Sequence, residues 1–153
     1  MLPGSHAALW RPNAAGAYAT GQILLSTTVA PNGSGTALAI NAAGTVVGEV
    51  KDSTGKVHAV QWTRDEAGTY TLVDLGPAAA GSSSAGINDE GRVVGHASAA
   101  PGEPAKANTW VAGGVTTPLT LDAELGTSEA YAINAGNQVV GINGVQAFIA
   151  APR

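Results

Sequence analysis

AINAAGTVVG at 39–48, AGINDEGRVVG at 85–95 and AYAINAGNQVVG at 130–141 are three spellings of one phrase. Ile40-Asn41 recurs at Ile87-Asn88 and Ile133-Asn134, offsets of 47 and 46, and Val46-Val47-Gly48 recurs at 93–95 and 139–141 with the same offsets. Two landmarks on one period mark a repeat architecture in which each unit is a single supersecondary piece. Within the phrase an apolar alternation enters, Asn begins a turn and VVG leaves, which is the pattern of a β-hairpin. Asn41, Asn88 and Asn134 are the turn residues; the side chains of Asn41 and Asn88 are expected to bond backbone N–H groups two residues on, with Gly44 and Gly91 at positive φ. In NAGN at 134–137 the glycine moves by one, and Asn137 is expected in the left-handed position. Gly48, Gly95 and Gly141 end the second strand, where a side chain would collide with a neighbouring strand or sheet.

Outward from the phrase, a third motif follows each VVG: HAVQW at 58–62, KANTW at 106–110 and QAFIA at 146–150, with HAALW at 6–10 as another copy. A fourth strand follows in TYTLVDLG at 69–76 and VTTPLTLD at 115–122, with YATGQILLST at 18–27 as a divergent version. With the strands lettered a to d, the chain reads c, d, then a, b, c, d twice, then a, b, c, about thirteen short strands. No segment keeps a 3.6 period, and PAAAGSSSAG at 77–86 is too rich in Gly and Ser for a helix. The fold class is therefore all-β. One repeat domain spans 1–153, with units drawn at 1–41, 42–88, 89–134 and 135–153.

Composition narrows the partners. Charged residues are 12% of the chain and the net charge is -4, so no basic stripe exists to neutralise phosphates, and nucleic acid is not an expected partner. Cysteine is absent, which excludes disulfides and thiolate metal sites. No apolar run approaches the roughly 20 residues that span a bilayer, so no membrane insertion is expected. MLPGSHAALW lacks a signal sequence, and the expectation is a native segment whose export signal was removed upstream.

The composite unit LVDLG...GSSSAGINDEGRVVGHAS...KANTW closely resembles the HAF repeat of predicted extracellular bacterial proteins. The resemblance covers nearly all of 35–150, and residues 11–34 match poorly. The name-giving tripeptide stands here as HAA, HAV, KAN and QAF, so its aromatic third residue survives only in the last copy. The resemblance implies propeller-like four-stranded blades, export, and a binding or surface role with no reaction. Three units and a fraction leave three architectures open, since propellers usually begin near four blades. The termini share a blade in a small ring, a second copy completes a half-ring, or the chain is a β-trefoil, for which VQW at 60–62 resembles the Q-x-W of ricin-type lectins. Propeller-like closure or assembly ranks ahead of the trefoil.

The chemistry-bearing residues read mostly as structural. His6, His58 and His96 lack metal-ligand spacing, and the first two share a repeat position with Lys106 and Gln146, as polar residues opening a strand. No G-x-S-x-G nucleophile motif occurs, and serines 82–84 read as turn chemistry. Asp74, Asp122, Asp89 and Glu90 are the carboxylates for a glycosidase pair, which needs two acids about 5 to 10 Å apart. The repetition of Asp74 and Asp122 points instead to backbone donors at a strand end. Neither DSTG at Asp52 nor NDEG at Asp89 has the spaced oxygens of a calcium loop, so no metal and no cofactor are expected. Asn32-Gly33-Ser34 is a sequon by pattern and reads as a loop.

Trp10, Trp62 and Trp110 end one repeat strand three times. Each indole is expected to bury about 200 Å² between adjacent sheets. The alternative places them on a rim as shallow sugar-stacking sites. Tyr18, Tyr70 and Tyr131 are less regular. The functional expectation is a non-enzymatic binding or interaction module, extracellular or at the cell surface, forming a homo-oligomer that completes the ring and protects free strand edges. The alternatives are a carbohydrate-binding module using the tryptophans and, last, a hydrolase using Asp74 and Asp122. The ligand class stays open between carbohydrate and protein.

Overall fold

In the computed structural model each copy of the phrase is a hairpin closed by its own asparagine. The structure describes residues 6–18, 23–27, 33–76, 80–111, 115–119, 121 and 126–152, and Asn32, residues 77–79 and Asp122 lie outside them. Asn41 N–H donates to the Thr45 carbonyl and Gly44 N–H donates to the Asn41 carbonyl. The same pair of bonds closes Asn88 to Arg92 and Asn134 to Gln138. Each asparagine Oδ1 accepts the N–H four residues on, from Thr45, Arg92 or Gln138, rather than two residues on. The turn needs four residues before the chain reverses, and that N–H is the one returning opposite the side chain. Gly44, Gly91 and Asn137 take φ of +82°, +80° and +59° at the reversal, the region that Gly and Asn enter most cheaply.

Thirteen strands and no helix form among the described residues. They are β1 (Ala8–Leu9), β2 (Ile23–Leu24), β3 (Ser34–Ile40), β4 (Val46–Lys51), β5 (Val57–Arg64), β6 (Tyr70–Asp74), β7 (Ser82–Ile87), β8 (Val93–Ala97), β9 (Lys106–Val111), β10 (Val115–Pro118), β11 (Ser128–Ile133), β12 (Val139–Asn143) and β13 (Gln146–Ala150). All pairings are antiparallel between neighbours in sequence, giving sheets β1-β2, β3-β4-β5-β6, β7-β8-β9-β10 and β11-β12-β13. The hydrogen-bonded bodies therefore run from each a strand to its d or c strand. Breaks at 41/42, 88/89 and 134/135 pass through hairpin turns inside these sheets. Serines 82–84 lie in β7 and are buried, so they are strand residues and not a turn.

The VVG glycine has a steric cause. A Cβ built at Gly48 would fall on the Thr36 carbonyl oxygen, at Gly95 on that of Ser83 and at Gly141 on that of Glu129. In each case the facing a strand carries a register shift, at 37/39, 84/86 and 130/132, which is a β-bulge that pushes backbone toward the glycine.

The sheets stack in chain order. β7 lies across β3, β4 and β5, β11 lies across β7, β8 and β9, and β1 contacts β3. Every full sheet buries two faces. Val46, Val60 and Trp62 face back toward Ala7 and Leu25, while Val47, Ala59 and Leu75 face forward toward Ile87, Val93 and Trp110. Val94 and Ala107 then meet Ala130, Val139, Phe148 and Ala150. Period-two alternation thus feeds both faces, which is why VV, an adjacent pair, supplies one valine to each layer. Trp62 and Trp110 are fully buried in these layers. Truncating an indole so placed costs about 3–5 kcal/mol.

Candidate functional site

Between stacked sheets runs a polar seam. Ala59 and Ala107, at one position of the c strand, point their N–H groups at the Oγ of Ser82 and Ser128 in the next a strand, both at 2.9 Å. Ser84 Oγ donates to carbonyls of Gly48 and Val60 in the preceding sheet. A second ladder runs along the hairpin turns. Asn41 Nδ2 donates to the Asn88 carbonyl and Asn88 Nδ2 to the Asn134 carbonyl, each at 3.1 Å. Asp89 Oδ1 accepts the Ala42 N–H and Glu90 Oε2 accepts from Asn137 Nδ2. The ladder turns inward at its last rung, where Asn134 Nδ2 donates to Gln138 Oε1 of its own turn.

The same change of environment marks the outer face of the third sheet. Val47 and Val94 are fully buried under the following sheet, but their counterpart Val140 is 43% exposed. Ala59 and Ala107 are fully buried, but Ala147 is exposed. Ile149 on the same face is 75% exposed. At the other end of the stack Trp10, the counterpart of buried Trp62 and Trp110, is 50% exposed. The stack therefore begins on a bare backward face and ends on a bare forward face. In the interior a forward and a backward face are packed together three times.

The predicted site residues distribute accordingly. Trp62 and Trp110 are fully buried between sheets, with neither ring stacked on the surface, whereas Trp10 is half exposed. Among the described carboxylates, Asp89 and Glu90 bridge neighbouring turns, and Asp74 caps its own strand end by accepting the Gly76 N–H. Asp74 also receives His58, whose Nδ1 lies 3.0 Å from Asp74 Oδ2 while Nε2 lies 3.3 Å from Asp52 Oδ2. Asp52 holds a compact loop. Its Oδ1 accepts from the Thr54 hydroxyl and from the N–H groups of Thr54 and Lys56. The Thr54 hydroxyl first, and then Lys56 N–H and His58, hold its carboxyl well below the usual carboxylate range. Among the described residues no group of three or more His, Asp or Glu is arranged to hold a metal ion. Asp122 lies outside the described residues.

The seam and the turn ladder are features that single-residue inspection passes over. The periodic Asn was visible, but that its amide reaches the next copy depends on how the sheets stack. Comparison with protein-family models, with curated proteins and with solved structures finds no match to this chain.

Proposed function

We propose that this chain is a non-enzymatic interaction module of an exported or cell-surface repeat protein, built of propeller-like blades and associating with a second copy of itself. The four-stranded antiparallel meanders, each forming its own sheet and stacked in chain order, support blades over a trefoil. In a trefoil the repeat's strands would divide between a barrel and its cap. The resemblance to HAF repeats supports the surface role. The observation that carries the association is the bare forward face of Val140, Ala147 and Ile149, whose counterparts elsewhere in the chain are each covered by a following sheet. The backward face at Trp10 is the matching half. Docked head to tail, the two bury the apolar groups that the interior layers bury.

Light scattering over a range of concentrations tests this. A mass of twice the chain is expected, falling to the chain mass on dilution. A chain that stays monomeric at high concentration overturns the proposal.

A further inference from the structure

The second layer contains a cavity of about 350 Å³ between the first and second full sheets, lined by Gly76, Ser82, Ala97, Ala99, Asn108 and Trp110 among others. Its origin lies in two departures from the repeat. Where the first unit has Val50 and Val60, both fully buried, the second has Ala97 and Asn108. Both positions are fixed by register, since Val60 and Asn108 pair with Gly48 and Gly95. The third unit has Phe148 at the position of Asn108. An apolar slot is thus filled by an amide in this copy alone, and the methyls lost at Ala97 leave space beside it.

Two buried polar atoms face that space without a partner: Asn108 Oδ1 and Trp110 Nε1. Asn108 is 7% exposed and Trp110 fully buried. The equivalent indole in the first unit is satisfied, since Trp62 Nε1 donates to the Ser26 carbonyl at 2.8 Å. Leu25 and Leu75 both donate their N–H to the c-strand alanine, which sets Gly76 at the place of Ser26. A buried donor and a buried acceptor left unmet are each destabilising, so the pair favours a ligand that meets both.

We infer that this cavity binds a small acetamido group, its carbonyl oxygen accepting from Trp110 Nε1, its N–H donating to Asn108 Oδ1 and its methyl resting on Ala97, Ala99 and Pro104. Residues two apart on one strand are rooted roughly 7 Å apart. A trans secondary amide carries its acceptor and donor on opposite edges and bridges such a pair, whereas one hydroxyl oxygen must reach both from a single point. The two unmet atoms are neutral, which suits the uncharged acetamido group, while Glu103 and Lys106 also line the cavity. This site is separate from the self-association faces.

Acetamido groups occur on N-acetylated sugars and on acetylated lysine, and the test separates these sources. The full chain, labelled with ¹⁵N, is titrated with N-acetylglucosamine and with Nε-acetyllysine, and with glucose and lysine as counterparts lacking the acetyl group. The indole N–H resonance of Trp110, identified by its loss in Trp110→Phe, is expected to shift saturably with at least one acetylated probe and not with the counterparts. The tighter of the two names the source. The double variant Ala97→Val, Asn108→Val installs the residues of the first unit, so it is compatible with the fold, and is expected to weaken binding at least tenfold with the melting transition retained. No shift with either acetylated probe, an equal shift with glucose, or unchanged binding by the double variant each overturns the inference.

Discussion

A methyl group added at Gly95 has nowhere to go, because the bulged backbone at Ser83 and Ser84 already occupies the place of its Cβ. Gly91 is different: it needs its positive φ of +80°, yet nothing lies within 4 Å of a Cβ there. Gly91→Ala is therefore expected to cost about 1 kcal/mol, the left-handed penalty alone. Gly95→Ala is expected to cost about 2–3 kcal/mol, since backbone must shift. Urea unfolding midpoints check this, and the reverse order would refute the steric role of the bulge. At Asp52 the sign of the pH effect follows from its lowered folded-state pKa. The carboxylate's contribution is fully present above the unfolded value of about 3.9 and is lost as pH falls through the folded value. Thermal melts of wild type and Asp52→Asn are expected to differ near neutral pH and to converge as the pH is taken well below 4. A gap that persists unchanged in acid would mean that the loop does not depend on this charge.

At the scale of the element, stacked sheets are held by polar contacts as well as by apolar layers, and each contact has a replica to serve as its control. Asn88 and Asn134 close their own turns alike, but Asn88 Nδ2 donates to both the Asn134 carbonyl and Asn137 Oδ1 of the next turn, while Asn134 Nδ2 makes one bond, to Gln138 within its own turn. Asn88→Ala is expected to exceed Asn134→Ala by about 1 kcal/mol in denaturant unfolding, the net worth of one hydrogen bond. Ser82→Ala strips the buried Ala59 N–H of its acceptor and is expected to cost about 1–3 kcal/mol. These elements also show what a sequence reveals. The hairpins, the strand order and the sterically required glycines were legible, since each follows from a few neighbouring residues and their period. The serines of β7 read as a turn in sequence yet form a strand, because a Ser run has no apolar alternation and is buried only through the sheet it meets. Asn108 stands in the KAN copy where HAA, HAV and QAF carry an apolar residue, a difference the sequence reading passes over. Its significance came only with the unpartnered indole two residues along the strand. Trp62 and Trp110 were legible as layer-filling residues, whereas the exposure of Trp10 depends on the position of its sheet at the end of the stack.

The molecule as a whole is a row of like interfaces with one half-interface bare at each end. Such faces are heterologous: joined head to tail they either grow into a filament or close into a ring. Two copies bring six sheets of three or four strands together with two β1-β2 pairs, within the four to eight blades over which propeller rings close. Closure at two is accordingly expected, with a mass that stops at the dimer as concentration rises. Val140→Asp places a charge on the forward face and Trp10→Asp places one on the backward face. Both side chains are about half exposed in the single chain, so neither change is expected to alter its melting transition much. Each variant alone lacks one half of every possible contact and is expected to remain monomeric, with association weakened at least ~100-fold, equivalent to about 2.7 kcal/mol. Mixed together, the two retain one compatible pair, the Trp10 face of Val140→Asp and the Val140 face of Trp10→Asp, and are expected to form an open dimer. Light scattering of the mixture distinguishes this from a symmetric contact, in which like faces meet and a single charged face would either block both partners or neither. Recovery of dimer only on mixing would establish head-to-tail association. Self-association by either variant alone at wild-type concentrations would show that the bare faces are not what joins the copies.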